Sequence, residues 1–151
     1  LASDRLIADP ERVYTWMAAR SGLVRVADFH GIAREVDGEL VAAFGYDFHQ
    51  DSSCMFHVAS EPGGINLTLL RRGFWVPYCQ WGYNCLIGVI QSKNVQSLEI
   101  AGRLGFTERL AVPGAHPSGA LHWYVMYRNE CPWLFENKNN ERQRQPITGR
   151  T

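Results

Sequence analysis

The stretch from residue 85 to residue 106 restricts the fold more than any other part of the chain. A compact apolar run, Cys85-Leu86-Ile87-Gly88-Val89-Ile90, leads through the polar turn Ser92-Lys93-Asn94 into Val95-Gln96-Ser97-Leu98-Glu99-Ile100-Ala101-Gly102-Arg103-Leu104, and Gly105-Phe106 follow. Val95, Leu98, Ala101 and Leu104 recur every three positions and so share one helix face. Ser92 or Asn94 suits the helix start, and Gly105 suits the left-handed residue that ends it. The reading is a buried strand, a turn and a short amphipathic helix.

Composition excludes several classes of function. Fifteen basic and fifteen acidic residues cancel, so no net charge favours nucleic acid, a membrane surface or a polyanion. No apolar run approaches the roughly 20 residues of a membrane span. Residues 1–135 read as one domain, long enough to bury a core. The four cysteines show no CxxC spacing, so neither a zinc site nor a disulfide framework is expected. Cys54 and Cys85 read as small core residues. A reducing cytoplasm is the expected location.

Asp9-Pro10-Glu11 opens a helix, with Asp9 as cap and Pro10 in the first position. Val13, Trp16 and Met17 form its apolar stripe, and Ser21-Gly22 end it. Before it, 5–8 read as a short edge strand. His30 to Val36 is strand-like, and Asp37-Gly38 signals a hairpin. The return strand runs from Glu39 to Phe48, with Leu40, Ala42, Phe44, Tyr46 and Phe48 on one face. Cys54 to Ala59 gives the next strand of a meander. A helix is expected from Asn66 to Trp75, with Leu67, Leu70 and Phe74 facing inward and Pro77 kinking or restarting it. Thr107 to Val112 and Ala120 to Arg128 read as strands joined by a loop over 113–119. Residues 136–151 form a polar tail with no core-forming pattern.

This order, and the strand–Asn–helix–Leu-Gly-Phe unit that ends it, resembles the GNAT superfamily, the GCN5-related N-acetyltransferases. Segment spacing also resembles small GNAT-like proteins of phages and prophages. The resemblance implies an α/β (α+β) fold: a mixed, twisted sheet with helices on both faces and a V-shaped split between the strands at 54–59 and 85–90. It also implies acetyl-CoA as co-substrate, held in that split.

The resemblance further implies site residues. The family's pyrophosphate loop corresponds to Glu61-Pro62-Gly63-Gly64-Ile65-Asn66. Gly64 fits the family pattern; Glu61 and Asn66 depart from it. Val58, Ala59, Gly63, Gly64, Ile65, Asn66 and Leu67 are the expected cofactor-binding residues, with backbone amides at the helix start receiving the anion. Arg71 and Arg72 lie further into that helix. Asn94 and Ser97 match positions that contact the pantetheine arm, and Asn94 also reads as a plain helix cap. The family's proton-donating Tyr is replaced by Ala101. His57 is the leading general base, because imidazole exchanges protons near neutral pH; Glu61, Tyr46, Asp47 and His49 follow. A lone His in an apolar strand is also a common core residue.

Two functions are compatible with these residues. One is an acyl-CoA-dependent N-acyltransferase acting on a small-molecule or protein amine by direct attack. The other is a catalytically degenerate GNAT-fold binding or structural module, such as a phage accessory or virion component. A DNA-modifying role has only the aromatic residues Trp75, Tyr78, Trp81, Tyr83, Trp123 and Tyr124 behind it, and neutral charge speaks against it. Those aromatics are expected to fill the core and a homo-oligomer interface.

Overall fold

The computed structural model describes residues 2–134. The tail at 136–151 lies outside the described residues. Strand β1 (Asp4–Ile7) leads into α1 (Pro10–Ser21); β2 (His30–Val36), β3 (Glu39–Asp47) and β4 (Ser53–Ser60) follow. Then come α2 (Leu67–Trp75), β5 (Cys85–Gln91), α3 (Val95–Leu104), β6 (Thr107–His116) and β7 (Gly119–Tyr127). The strands form one seven-stranded sheet in the order β1-β2-β3-β4-β5-β7-β6. Every pairing is antiparallel except β4 with β5.

That parallel pair positions the site. Only Ser53–Cys85, Cys54–Leu86 and Met55–Ile87 are in register. Beyond Met55 the strands diverge, while β4 stays paired to β3 as far as Ser60 and β5 to β7 as far as Gln91. The sheet therefore opens as a V, with ladder groups on its inner edges.

Helices cover both faces. Val13 and Met17 of α1 pack with Phe29, Ala33, Ala43 and Ala59. On the other face Leu69, Leu70 and Phe74 of α2 and Ala101 and Leu104 of α3 join Phe44, Tyr46, Phe56, Leu86 and Met126. Asp9 caps α1 by accepting the Glu11 and Arg12 amides, and Gly22 ends it at φ 68°. Asn94 caps α3 through the Ser97 amide, and Gly105 ends it at φ 110°. Glycine adopts these left-handed conformations without the Cβ penalty. No helix among the described residues is long and apolar enough to cross a membrane.

Several expectations are corrected. Phe48 takes φ 47°, which ends β3 at Asp47, and its ring is 58% exposed instead of inward. Leu67 is exposed because α2 begins there and turns Leu69, Leu70 and Phe74 inward. Val95, in the first turn of α3, is also exposed. Pro77 opens a π-helical turn over Val76–Gln80, closed by Trp81 N–H donating to the Val76 carbonyl. Pro77 has no N–H, so the regular ladder cannot continue there. The expected loop at 113–119 is mostly strand: β6 reaches His116, and its register shifts between Val112 and His116. Pro113 is tolerated because β6 is an edge strand. Arg128 lies in a short 3-10 turn after β7.

Candidate active site

The V opens into a cleft of about 160 Å³. His57 and Val58 of β4, Gly88 and Gln91 of β5, Ala101 of α3 and Tyr124 of β7 are among its walls. Alternation along β4 sends His57 to the α1 side of the sheet and Phe56 and Val58 to the α2 side. Ser21 at the end of α1 and Leu23 just past it meet the cleft on the His57 side, and Asn94 and Ser97 meet it at the start of α3. The split thus joins the two faces of the sheet.

His57 has a partner inside the sheet. Gly45 lies opposite His57 and Asp47 opposite Met55, so Asp47 and His57 are diagonal neighbours on one face. His57 Nε2 donates to Asp47 Oδ1 at 2.7 Å. Asp47 is 1% exposed and its Oδ2 has no partner among the described residues. The carboxylate holds the imidazole proton on Nε2 and leaves a lone pair on Nδ1. His57 keeps 28% of its side chain exposed. An imidazole oriented by a buried carboxylate is suited to proton abstraction.

Of the other base candidates, Asp47 is thus paired with His57, and Tyr46, Glu61 and His49 are not brought to this point. Tyr46 alternates to the opposite face, is fully buried, and donates its hydroxyl to the Gly73 carbonyl of α2. Burial pushes its phenol well above the usual tyrosine value. Glu61 turns to α1, where Arg20 Nη2 donates to its Oε1 at 2.8 Å. His49 is tied to the Tyr83 hydroxyl at 2.6 Å and to the Asp28 carbonyl at 3.1 Å.

A groove of about 440 Å³ adjoins the cleft, the two sharing Leu104. Glu61, Gly63 and Ile65 form one side, and Gln96, Ile100 and Arg103 of α3 the other. Gly64 packs so tightly that a Cβ there would lie 2.2 Å from the Val41 carbonyl oxygen. Its own carbonyl accepts Arg34 Nη1 at 2.9 Å, which pins the loop. Asn66 caps α2 by accepting the Leu69 amide at 2.9 Å, a role its departure from the family pattern did not suggest. The Gly64 amide is taken by the Glu61 carbonyl. The amides of Ile65, Leu67 and Thr68 have no hydrogen bond among the described residues. An anion at this helix start meets open donors, with Glu61 turned away to Arg20. Ala59 faces α1 and packs in the core.

Two features of the site were read differently in the sequence. Asp47 stood among the candidate bases, and the β3–β4 register makes it the hydrogen-bond partner of His57 instead. Tyr124 was grouped with the core aromatics, yet it faces the cleft. Burial, and secondarily the nearby Glu108 carboxylate, raises the Tyr124 phenol above its usual value, so it stays protonated. Tyr78 and Tyr83 do fill the core, whereas Trp123 is 36% exposed.

No family model and no curated protein matches the chain. Solved structures do. A variant of the spermidine/spermine N-acetyltransferase SpeG from Vibrio cholerae superposes with a TM-score of 0.66 at 10% identity, covering 84% of this chain and 96% of that one. A point mutant of the same protein gives 0.68 at 10% identity, covering 87% and 98%. An acetyltransferase of the GNAT family from Bacillus anthracis gives 0.55 at 13% identity, covering 66% and 67%. The element order, the splayed parallel pair and these superpositions agree: the chain has the GNAT acetyltransferase fold.

Proposed function

We propose that this protein is an acyl-CoA-dependent N-acyltransferase that acetylates a primary amine. The observation that carries the reading is the Asp47–His57 pair, placed where the sheet splits. Acetyl-CoA, when bound, supplies the acyl group as a thioester. The open amides at the α2 start are the residues for its phosphates, and Gly88, Ala101 and Asn94 line the space for its arm. A Cβ at Gly88 would meet only the Phe56 carbonyl, at 3.7 Å, so that carbonyl faces the split. Strand geometry then puts the Val58 N–H on the same edge, as a donor for a carbonyl oxygen.

The amine enters from the α1 side, past Ser21 and Leu23. His57 Nδ1 takes its proton, and Asp47 stabilises the imidazolium that forms. Tyr124 fills the proton-donor role that Ala101 leaves vacant: its phenol stays protonated and reaches the cleft from β7. The names of the structural neighbours make spermidine and spermine the first acceptors to test, beside a lysine peptide.

The test is thiol release from acetyl-CoA with each amine, read together with the thermal shift produced by CoA. Stabilisation by CoA and amine-dependent thiol release support the reading. His57→Ala is then expected to lower turnover by roughly 10²–10⁴-fold with little change in the CoA thermal shift. The absence of both a thermal shift at millimolar CoA and amine-dependent thiol release from acetyl-CoA would overturn the proposal and leave a binding or structural module.

A further inference from the structure

A second group of reactive side chains lies outside the cleft. Ser92 sits in the turn between β5 and α3, His122 in β7 and Glu108 in β6. Ser92 Oγ and His122 Nε2 are 2.8 Å apart, and His122 Nδ1 bonds Glu108 Oε1. Register explains the meeting. Ile90 pairs with His122, and Ser92 is two residues further along that face. Glu108 pairs with Tyr124, two residues from His122, and the register shift after Glu108 follows. Strands β6 and β7 and the turn after β5 thus present carboxylate, imidazole and serine side by side. None of the three lines the β4–β5 cleft.

We propose that Ser92, His122 and Glu108 form a nucleophilic site that hydrolyses small activated acyl esters. The connectivity is that of a serine hydrolase: carboxylate to Nδ1, Nε2 to hydroxyl. The nucleophile stands on a strand–turn–helix junction, and the chain order is serine, acid, histidine, an arrangement that recurs in hydrolases. Ser92 Oγ also accepts the Ala120 N–H at 3.2 Å. That bond leaves its proton for His122, which is nearer than the alternative acceptor, the Ala120 carbonyl at 3.2 Å. The amide of Lys93, next after the nucleophile, has no hydrogen bond among the described residues and is the oxyanion donor. Ser92 is half-buried, and its φ is not among the positive values of this chain. Its oxygen is therefore not thrust outward on a strained turn, which restricts the site to short acyl groups with good leaving groups.

The reaction balances as follows. Ser92 Oγ bonds to the acyl carbon as its proton moves to His122 Nε2. The ester C–O bond breaks, and the leaving alcohol takes that proton. Water then attacks the acyl-serine, giving its proton to His122, and serine leaves with it. The net change is ester plus water to acid plus alcohol.

The test treats the full chain with a fluorophosphonate probe and with p-nitrophenyl acetate. The expected result is one adduct, on Ser92, with loss of fluoride, and a burst of p-nitrophenolate. Ser92→Ala is expected to abolish both, and His122→Ala to slow labelling by roughly 10²–10⁴-fold. Because Ser92 also closes the β5–β7 ladder, Glu108→Gln, a near-isosteric change on an exposed side chain, serves as the second variant. Slower labelling at an unchanged melting temperature supports the relay. Ser118 is an internal control: its hydroxyl lies 2.7 Å from His116 Nδ1, in a different arrangement. No adduct, an adduct on Ser118 instead, or labelling of Ser92 that ignores both His122→Ala and Glu108→Gln would overturn the proposal.

Discussion

Asp47 and His57 stand ten positions apart in sequence and 2.7 Å apart in space, and only the hairpin between β3 and β4 makes them a pair. Removing the negative charge without changing shape separates orientation from packing. Asp47→Asn can offer His57 Nε2 an amide N–H, which favours the tautomer with its proton on Nδ1 and removes the base. Turnover is expected to fall by roughly 10²-fold or more. The melting temperature should move little, because one oxygen of the native carboxylate has no partner among the described residues. A large loss of stability with normal turnover per folded molecule would assign Asp47 to the core alone. At Tyr124, removing the hydroxyl keeps the ring. Tyr124→Phe is expected to lower kcat by about 10²-fold with KM for the amine nearly constant; an unchanged kcat would return proton donation to solvent. His57 was singled out in the sequence because imidazole exchanges protons near neutral pH, and Asp47 was listed as another base. That the two are partners was not legible, since a strand-end aspartate gives no sign of facing a histidine until the register is known. Tyr46 and Glu61 carry suitable chemistry, yet alternation buries one and an ion pair with Arg20 engages the other.

Two glycines give opposite forecasts at the level of elements. A Cβ at Gly64 would lie 2.2 Å from a backbone oxygen of β3, which cannot yield as a side chain would. Gly64→Ala is expected to cost about 1–3 kcal/mol and to lower Tm by roughly 3–10 °C, with the α2 start displaced. Gly88 has room, and its backbone is not in the left-handed region. Gly88→Val is therefore expected to preserve or slightly raise Tm, because glycine weakens a strand interior, while the new methyls occupy the cleft. CoA binding by calorimetry should weaken at least ~10-fold; undiminished binding would mean that the arm does not pass Gly88. Elements announced by a strong local signal were legible: Asp9-Pro10 for α1, Asn94 and Gly105 for α3, Asp37-Gly38 for the first hairpin. Those set by tertiary context were not. Phe48 continues the β3 alternation in sequence but adopts a turn conformation, and 113–116 look like loop because Pro113 and Gly114 are tolerated at an edge. Asn66 looked like a defect in a phosphate loop, and its side chain caps α2 instead.

For the molecule as a whole, the perturbed groups point to loss of stability on acidification. His30 packs edge-on against His49 and Trp81 at one end of the sheet. Burial, and then the like charge of His49, lower its pKa below the ordinary histidine value, with Asp28 opposing weakly. Native His30 therefore prefers the neutral form, and the unfolded chain binds the proton more readily. Its contribution is present above about pH 6.5 and is lost as pH falls through the depressed native value. Glu35 is held below the usual carboxylate range by Arg5 and then Arg12, and Asp4 by Arg34. These pairs link β1 and α1 to β2. Their contribution survives the histidine window and is lost only when pH falls through the depressed carboxylate values. Tm against pH is thus expected to fall in two stages: one beginning near pH 6, a second below pH 4. His30→Asn, which cannot be protonated in this range, should flatten the first stage and leave the second. Glu35→Gln should lower Tm at neutral pH and shrink the second stage, because the charge that holds Arg5 and Arg12 is gone at every pH. A Tm profile of the His30→Asn variant that still drops in the histidine window would show that His30 is not the group behind the first stage.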